Sequence, residues 1–271
     1  MRELSRETMV ERSLMKSFKG SLYSKFVKAI NDYKLIDNGD MIAVAISGGK
    51  DSLLLAKLFQ TFKKYGQLDF EMKLITIDPG YTEDALRTYK NNCEKLGMAP
   101  SVYPTKLFAA AKTRSPDSPC YLCARMRRGV LYGKAKELGC NKLALGHHFN
   151  DVIETTLLNI FYAGCFKTML PKAKAENYEN MELIRPMYLI KEKDIIKFSR
   201  YHDINMSGCG CPAEEINMDS KRNEIKKMIE SMLEKYKNID INIFRSAENV
   251  NIKSVLGYYD EQEKHSFLDQ Y

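Results

Sequence analysis

The sequence lacks the marks of a membrane or secreted protein. It contains no apolar run of about 18 residues, the length needed to cross a bilayer, so we expect no membrane span and no membrane partner. Residues 1–20, MRELSRETMVERSLMKSFKG, are charged throughout and lack the apolar core of a signal peptide. Internal repeats and low-complexity tracts are also absent from the sequence. These absences predict a cytoplasmic protein with an ordinary globular core.

Disulfide bonds are not expected to hold this chain together. The seven cysteines are an odd number, and in a cytoplasmic chain such a count argues against a disulfide scaffold. Four of them form two close pairs, which is typical of metal or redox chemistry, and three are isolated and are predicted to be small buried apolar residues. The pairs are Cys120/Cys123 and Cys209/Cys211, and the isolated residues are Cys93, Cys140 and Cys165.

The charge balance is basic but only moderately so. A formal net charge of +7 suits a nucleic-acid partner, although many lysine-rich proteins bind none. The hydrophobic content of 44% is ordinary for a soluble domain, and 271 residues make one large domain or two small ones.

Short apolar runs alternate with helical periodicity along the chain. This alternation predicts an α/β fold, a doubly wound parallel sheet with helices on both faces, an N-terminal helix and a C-terminal helical extension. The apolar stripe of the extension, from Ile225 to Tyr236, is predicted to face the core. The predicted strands are 41–46, 73–78, 101–105 and 142–145, and the predicted helices are 7–35, 53–64, 83–97, 121–138, 150–162 and 219–237. The predicted divisions are an N-terminal helical segment 1–37, an α/β domain 38–205, a cysteine loop and helical extension 206–250, and a tail 251–271.

The hexapeptide SGGKDS, Ser47–Ser52, follows the first predicted strand and opens a helix. An open α/β sheet places its ligand at this edge. The two glycines allow a close backbone approach, and the N–H groups at the start of the helix favour an anion such as a phosphate. The spacing is neither that of a Walker A loop nor that of GxGxxG, so those two nucleotide motifs are excluded.

In this context SGGKDS resembles the PP-loop of the ATP pyrophosphatases, the adenine nucleotide alpha-hydrolases. Those enzymes cleave ATP between the alpha and beta phosphates and transfer AMP to an acceptor. The resemblance implies that Ser47, Gly48, Gly49, Lys50, Asp51 and Ser52 hold the pyrophosphate part of ATP with Mg²⁺. It also implies that Ala45, Ile46, Thr76, Ile77 and Asp78, at the ends of two strands, lie beside the adenosine.

Two later segments carry further chemistry-bearing side chains. In SPCYLCARMRRG, a helix would place Cys120, Cys123 and Arg127 on one face, and the pair can be a redox pair, a zinc half-site or an iron–sulfur half-site. The arginines of this segment form either a solvated face or a phosphate contact. In GHHFNDVIETT, the adjacent His147 and His148 point to opposite faces of an extended chain. Asp151 can cap the following helix or act beside a bound nucleotide.

Together, NGDMIAVAISGGKDS, PCYLCARMRRG and LALGHHFNDVIETTLLNIFYAG resemble the TtcA group, the tRNA 2-thiocytidine synthetases. That family implies ATP-dependent replacement of a base oxygen in tRNA by sulfur held at a [4Fe-4S] cluster with three cysteine ligands. It implies Cys120, Cys123 and Cys211 as cluster ligands, with Cys209 as the alternative to Cys211. The implied catalytic residues are Cys120, Cys123, Lys50, Asp51 and Asp151, the implied nucleotide contacts further include Gly146 and Asp151, and the implied RNA contacts are Arg125, Arg127, Arg128 and His147.

The second cysteine segment departs from the family pattern. Relatives often carry CxxC there, whereas this chain has CxC, with Glu214 where a further cysteine would fall. The alternatives are the same chemistry on another tRNA base or on a small molecule, and a zinc-stabilised, non-catalytic tRNA-binding protein with a Cys₄ site. The sulfur donor, such as a cysteine desulfurase or free sulfide, and a homodimeric state stay open.

Overall fold

A six-stranded sheet forms the centre of the protein. The computed structural model describes residues 5–115, 119–205, 220–260 and 263–270. The strand order is β3-β2-β1-β4-β6-β5, and every neighbouring pair is parallel except β5 with β6. The predicted α/β fold is therefore confirmed. The strands are β1 Asp40–Ala45, β2 Phe70–Asp78, β3 Ser101–Pro104, β4 Lys142–Ala144, β5 Lys172–Lys174 and β6 Glu182–Ile184, and a separate hairpin pairs β7 Gly257–Asp260 with β8 Glu263–Ser266.

Ten α-helices surround the sheet in the described part of the chain, and none of them is long and apolar enough to cross a membrane. The single helix predicted over residues 7–35 is divided by a π-helical turn, Lys19–Tyr23. The helices are α1 Arg6–Met15, α2 Ser24–Asp32, α3 Lys50–Tyr65, α4 Glu83–Lys95, α5 Leu107–Arg114, α6 Pro119–Glu137, α7 Phe149–Ala163, α8 Glu192–Tyr201, α9 Ser220–Lys235 and α10 Ile239–Ser246.

The central strand β1 is buried on both faces. Successive side chains of a strand point to opposite sides, so Ile42 and Val44 join one hydrophobic core while Ala43 and Ala45 join the other. A parallel strand covered by helices on both faces is a continuous apolar run in sequence. This explains why MIAVAI lacks the alternation of a half-exposed strand.

The apolar stripe of α9 faces the core over only half of the helix. Ile225 and Ile229 are buried, but Leu233 and Tyr236 are exposed, which corrects the predicted core-facing stripe at its end. The ion pairs of α9 with α7 and α8 are made by Arg222 and by Lys226, both in its first half. Its last turn therefore extends beyond the helices it packs against.

A buried lysine joins the amino ends of β1 and β4. Lys142 is 2% exposed, and its Nζ lies 2.8 Å from Asp40 Oδ2 and 3.0 Å from the Leu35 carbonyl oxygen. Burial alone would raise the pKa of Asp40, but hydrogen bonds from the Asp37 N–H, Lys142 and Asn141 outweigh it and lower that pKa. The pair fixes the two strands whose other ends carry the SGGKDS loop and Gly146.

Replacing Lys142 with methionine is expected to lower the free energy of unfolding by about 3–5 kcal/mol, because Asp40 is left buried without its cation. The double variant Lys142→Met/Asp40→Asn is expected to recover part of this loss. Urea denaturation of both variants measures the effect. Lys172→Met is the control, since the pair of Lys172 with Glu182 is partly exposed and is expected to contribute about 1 kcal/mol or less. Equal, small losses for both single variants would contradict a structural role for the buried pair.

Candidate active site

A cavity of about 290 Å³ opens at the carboxyl ends of β1, β2 and β4. This is the sheet edge at which parallel α/β folds bind their ligands. Its lining includes residues from the SGGKDS loop, from α6 and from the start of α7. The lining residues are Ala45, Ile46, Ser47, Asp51, Ser52, Ile77, Arg127, Leu131, Leu145, Gly146, His147 and Asp151.

Two glycines shape the loop between β1 and α3. Gly48 has a φ of +89°, and a Cβ there would lie 2.9 Å from Cδ2 of Tyr89, so conformation and space both favour glycine. Gly49 is the N-cap residue of α3 and offers no side-chain cap. The first N–H groups of α3 are therefore available to an anion at its positive end.

Hydroxyl groups hold the loop in place. Ser52 Oγ donates to the Gly49 carbonyl at 2.9 Å and accepts from the Ser47 N–H at 3.1 Å and the Ser47 hydroxyl at 3.2 Å. Tyr81 donates its OH to the Ser47 carbonyl at 2.8 Å. The two serines predicted to bind phosphate thus also close the turn on itself.

Lys50 is held charged at the start of α3 but does not line the cavity. Its Nζ lies 3.1 Å from Asp51 Oδ2 and 3.2 Å from Glu192 Oε1. Burial would lower the pKa of Lys50, but the attraction of Asp51 and Glu192 outweighs it and raises the pKa. Likewise, burial would raise the pKa of Glu192, but Lys226 and Lys50 lower it to about 2. Glu192 therefore links the loop to α9.

Two carboxylates meet a buried histidine at the floor of the cavity. His148 Nε2 lies 3.7 Å from Asp51 Oδ1 and 3.5 Å from Asp151 Oδ2, and the His148 N–H donates to Asp151 at 2.9 Å. Asp151 therefore caps α7 and also lines the cavity. Asp51 Oδ1 is buried and has no hydrogen-bond partner among the described residues. A Cβ at Gly146 would lie 3.1 Å from the backbone of Asp51 and Ser52, so this glycine permits close packing of the two loops.

His147 points into the cavity in one fixed tautomer. Arg185 Nε lies 3.3 Å from His147 Nδ1, and a guanidinium can only donate, so Nδ1 accepts and the ring proton lies on Nε2. Burial, with the charges of Arg185 and Arg128, lowers the pKa of His147 to about 4 against the opposing effect of Asp151. At neutral pH, His147 is an uncharged hydrogen-bond donor. Arg185, which carries no sequence motif, was not predicted.

Helix α6 brings part of the first cysteine segment to the same cavity. Cys123 is buried, and Arg127, one turn later, lines the cavity with its guanidinium 5.9 Å from the ring centre of Tyr81. Arg127 Nε is buried without a hydrogen-bond partner in the described part of the chain. Arg125 and Arg128 are exposed. The side chain of Cys120, like residues Cys209, Cys211 and Glu214, lies outside what the structure describes.

The residues predicted beside the adenosine divide into two groups. Ala45, Ile46 and Ile77 line the cavity. Thr76 is fully buried and shares a 2.5 Å hydrogen bond with Tyr89, and Asp78 Oδ1 accepts from the N–H groups of Gly80 and Tyr81. The predictions missed Leu131 and Leu145, although Leu131 follows Arg127 by one helical turn and Leu145 precedes Gly146.

Two of the three isolated cysteines are buried as predicted. Burial raises the pKa of the Cys93 thiol to about 11 and also raises that of Cys140. Cys165 is exposed, which corrects the prediction for this residue. It follows Gly164, the left-handed residue that ends α7, and therefore lies on the loop beyond the packed helix.

The described residues fit a nucleotide. The anion-facing start of α3 lies at one end of the cavity and the apolar side chains of Ala45, Ile77 and Leu131 at its wall. The unpaired Nε of Arg127 is a buried donor suited to a phosphate oxygen. For a metal cluster the described residues are incomplete, since no three His, Cys, Asp or Glu side chains among them are arranged so that they could hold a metal ion.

Comparison with known proteins places the chain among relatives of similar length. The PP-loop domain family matches residues 19–229. A tRNA-cytidine(32) 2-sulfurtransferase from Syntrophotalea carbinolica is 37% identical over 231 residues, which cover 84% of this chain and 88% of the relative. One from Geotalea uraniireducens is 38% identical over 231 residues, with 84% and 91% covered.

A solved structure shares the fold. The U34-tRNA thiolase NcsA from Methanococcus maripaludis, solved with its [4Fe-4S] cluster, superposes with a TM-score of 0.66 at 21% identity, covering 83% of this chain and 76% of that one. The family match extends over both the SGGKDS loop and the cysteine helix α6. The chain therefore belongs to the PP-loop family and, within it, to the family of the tRNA-cytidine(32) 2-sulfurtransferases.

Proposed function

We propose that this protein is an ATP-dependent tRNA sulfurtransferase that replaces the oxygen at C2 of a cytidine with sulfur. The observation that carries the proposal is the cavity lined together by the SGGKDS loop, His147 and Arg127 of α6, with the buried Cys123 one helical turn before Arg127. The nucleotide loop and the side chains proposed to act on the base therefore open onto the same cavity. Position 32, named in the curated relatives, is the proposed site in tRNA.

The proposed reaction needs activation because a carbonyl oxygen is a poor leaving group. The N–H groups at the start of α3 and the cation of Lys50 bind the pyrophosphate part of ATP with Mg²⁺. The base oxygen attacks the alpha phosphate, the alpha–beta bond breaks, and pyrophosphate leaves. Arg127 stabilises the charge on the alpha phosphate. Sulfur at the sulfide level (HS⁻) then attacks C2, the C2–O bond breaks as AMP departs, and the sulfur proton is released to water.

His147 is the proposed donor to this reacting group. His147 lines the cavity, and its ring proton lies on Nε2 because Nδ1 accepts from Arg185. An uncharged donor can hydrogen-bond an oxygen on which negative charge develops without transferring its proton. Asp51 and Asp151 flank His148 at the cavity floor and hold the SGGKDS loop against the start of α7.

The cysteines complete the proposal. A [4Fe-4S] cluster bound by Cys120, Cys123 and Cys211, with Cys209 as the alternative third ligand, would supply a site for the incoming sulfur. The position of Cys123 one helical turn from the cavity-lining Arg127 supports it. A non-catalytic zinc protein is not favoured, because it would need neither the nucleotide loop nor the fixed tautomer of His147. A cytoplasmic location, RNA contacts by Arg125 and Arg128, a desulfurase or sulfide donor, and a homodimer remain proposals.

Deleting the gene is expected to remove 2-thiocytidine from tRNA in a host that contains it. Mass spectrometry of digested tRNA nucleosides makes the measurement, and the other thiolated nucleosides are the internal control. Re-expression of the wild-type chain should restore the nucleoside, whereas a Lys50→Ala chain should not. An unchanged 2-thiocytidine level in the deletion strain would overturn the proposed substrate.

His147→Ala is expected to lower kcat/KM for thiolation by about 10²–10³, the usual cost of a lost transition-state donor. Arg185→Met removes a cation beside His147, so the pKa of His147 is expected to rise from about 4 towards its ordinary value. NMR titration of the histidine ring signals measures this pKa and the tautomer directly. Arg185→Lys keeps the charge and is expected to leave the pKa low. Because burial is the main cause of the low pKa and remains in the variant, the tautomer is the decisive readout: an unchanged Nε2-protonated ring in Arg185→Met would contradict the positioning role.

Replacement of a cluster ligand is expected to remove most of the bound iron and the thiolation activity. Cys120→Ala, Cys123→Ala and Cys211→Ala are the test variants, and Cys165→Ala is the control on an exposed, isolated thiol. The anaerobically purified wild type is expected to be brown. A colourless protein that contains zinc would favour the non-catalytic alternative, and full iron content in Cys209→Ala with loss in Cys211→Ala would assign the third ligand.

A further inference from the structure

A second cavity, larger than the first, lies at the carboxyl end of α8, the end away from the contact of Glu192 with Lys50. Its volume is about 600 Å³, and it runs between the exposed side of α1 and the carboxyl end of α8. We call it the basic groove. Its lining residues are Arg6, Met9, Arg12, Ser13, Lys16, Ser17, Tyr201, His202 and Asp203.

The basic groove carries more positive side chains than its carboxylates can pair with. Arg12 and Lys16 make no ion pair with any described residue, while Asp203 pairs with Lys95 at 2.9 Å and lies 3.8 Å from Arg6. The dipole of helix α1 explains why a cation lies near its carboxyl end, but not why Arg6 lies at its start. A cation is favoured at the carboxyl end of a helix but disfavoured at its first residue, where Arg6 lies.

A contact across the groove, with the end of α8, instead fixes the position of Arg6. Its guanidinium donates to the His202 carbonyl at 3.0 Å, which binds α1 to the end of α8. His202 adds no charge, because burial and the nearby Arg6 lower its pKa to about 4, and its Nε2 lies 2.6 Å from Ser13 Oγ. His202 therefore contributes an uncharged side chain to the groove, whose exposed cations without an ion-pair partner among the described residues are Arg12 and Lys16.

An exposed aromatic ring stands at the groove. Tyr201 is 66% exposed, yet its ring is fixed by edge contacts with Phe18, at 5.5 Å, and His202, at 4.9 Å. A tyrosine that is ordered but open to solvent is a surface on which an unpaired base can stack. Cations beside an aromatic ring favour a ribose–phosphate chain over a small inorganic anion, which would not need the ring.

We propose that the basic groove binds the sugar-phosphate backbone of the tRNA substrate, with an unpaired base stacked on Tyr201. This inference rests on the proposed function. Helix α8 begins at Glu192, which contacts Lys50 of the SGGKDS loop, and ends at Tyr201. The groove and the contact of Glu192 with Lys50 are thus about 14 Å apart along the helix axis. About four nucleotides of a strand cover that distance.

Binding of unmodified tRNA transcript to the full chain, measured by fluorescence anisotropy over a range of salt concentrations, tests the groove. Arg12→Gln/Lys16→Gln is expected to raise Kd at least about tenfold. It should also reduce the slope of log K against log salt by about 1.4–1.8, the value for two lost phosphate contacts. Lys253→Gln/Lys264→Gln, two exposed lysines of the C-terminal segment with no ion pair among the described residues, removes the same charge and should leave the slope unchanged.

Tyr201→Ala is expected to weaken tRNA binding by about fivefold or more with an unchanged salt slope, because stacking does not release counterions. Tyr201→Phe keeps the ring and should bind like wild type. Failure of the wild type itself to bind tRNA would overturn the proposed function. If the wild type binds tRNA and the groove variants show the same Kd and salt slope, only the proposal for the basic groove would be overturned.

One further result would also overturn the groove as an RNA site. If the groove variants bind tRNA normally but lose thiolation only when sulfur comes from a protein persulfide rather than free sulfide, the groove binds the sulfur donor. Thermal unfolding of each variant controls for folding. The side chains of Arg12 and Lys16 are exposed, so the unfolding midpoint of Arg12→Gln/Lys16→Gln is expected to match the wild type. Tyr201→Ala loses its ring contacts with Phe18 and His202 and is expected to unfold at a slightly lower temperature, whereas Tyr201→Phe keeps them.

Discussion

The parallel pairing of β1 with both β2 and β4 is the constraint on which the active site depends. Val44 lies opposite Leu74 on one side and Ala144 on the other, so all three strands end at one edge. The loops that leave this edge carry SGGKDS, Asp78 and Gly146. The buried pair of Lys142 and Asp40 fixes the same strands at their other ends. A slip of β4 against β1 would therefore move His147 away from the loop.

Ion pairs also fix helices α8 and α9, which lie far along the sequence, against the SGGKDS loop and α7. Glu192 bridges Lys50 at the loop and Lys226 on α9, while Arg222 on α9 reaches Glu154 on α7 at 2.9 Å. Burial raises the pKa of Glu154 more than Arg222 lowers it, so the contact depends on a carboxyl that is costly to ionise. Helix α9 directly follows the segment that contains the second cysteine pair. The start of that helix is thus held against the active-site helices.

The sequence predicted the nucleotide loop and the cysteine helix because both carry local signals. SGGKDS combines a buried strand, glycines and a helix start, and each signal depends on neighbouring residues only. Arg185 and Glu192 were missed because their roles arise from tertiary contacts with His147 and Lys50, which no spacing encodes. The exposed end of α9 was mispredicted for the same reason, since periodicity indicates an apolar face but not how far a neighbour covers it.

Burial of Cys93 and Cys140 has a consequence for chemical selectivity. A protein that handles activated sulfur exposes every thiolate it carries to persulfide formation and to capture of iron. Cys93 and Cys140 stay protonated at neutral pH because burial raises their thiol pKa values, so neither competes as a nucleophile or as a ligand. Packing thus protects two core sulfur atoms from this chemistry without removing either cysteine, whereas the exposed Cys165 has no such protection.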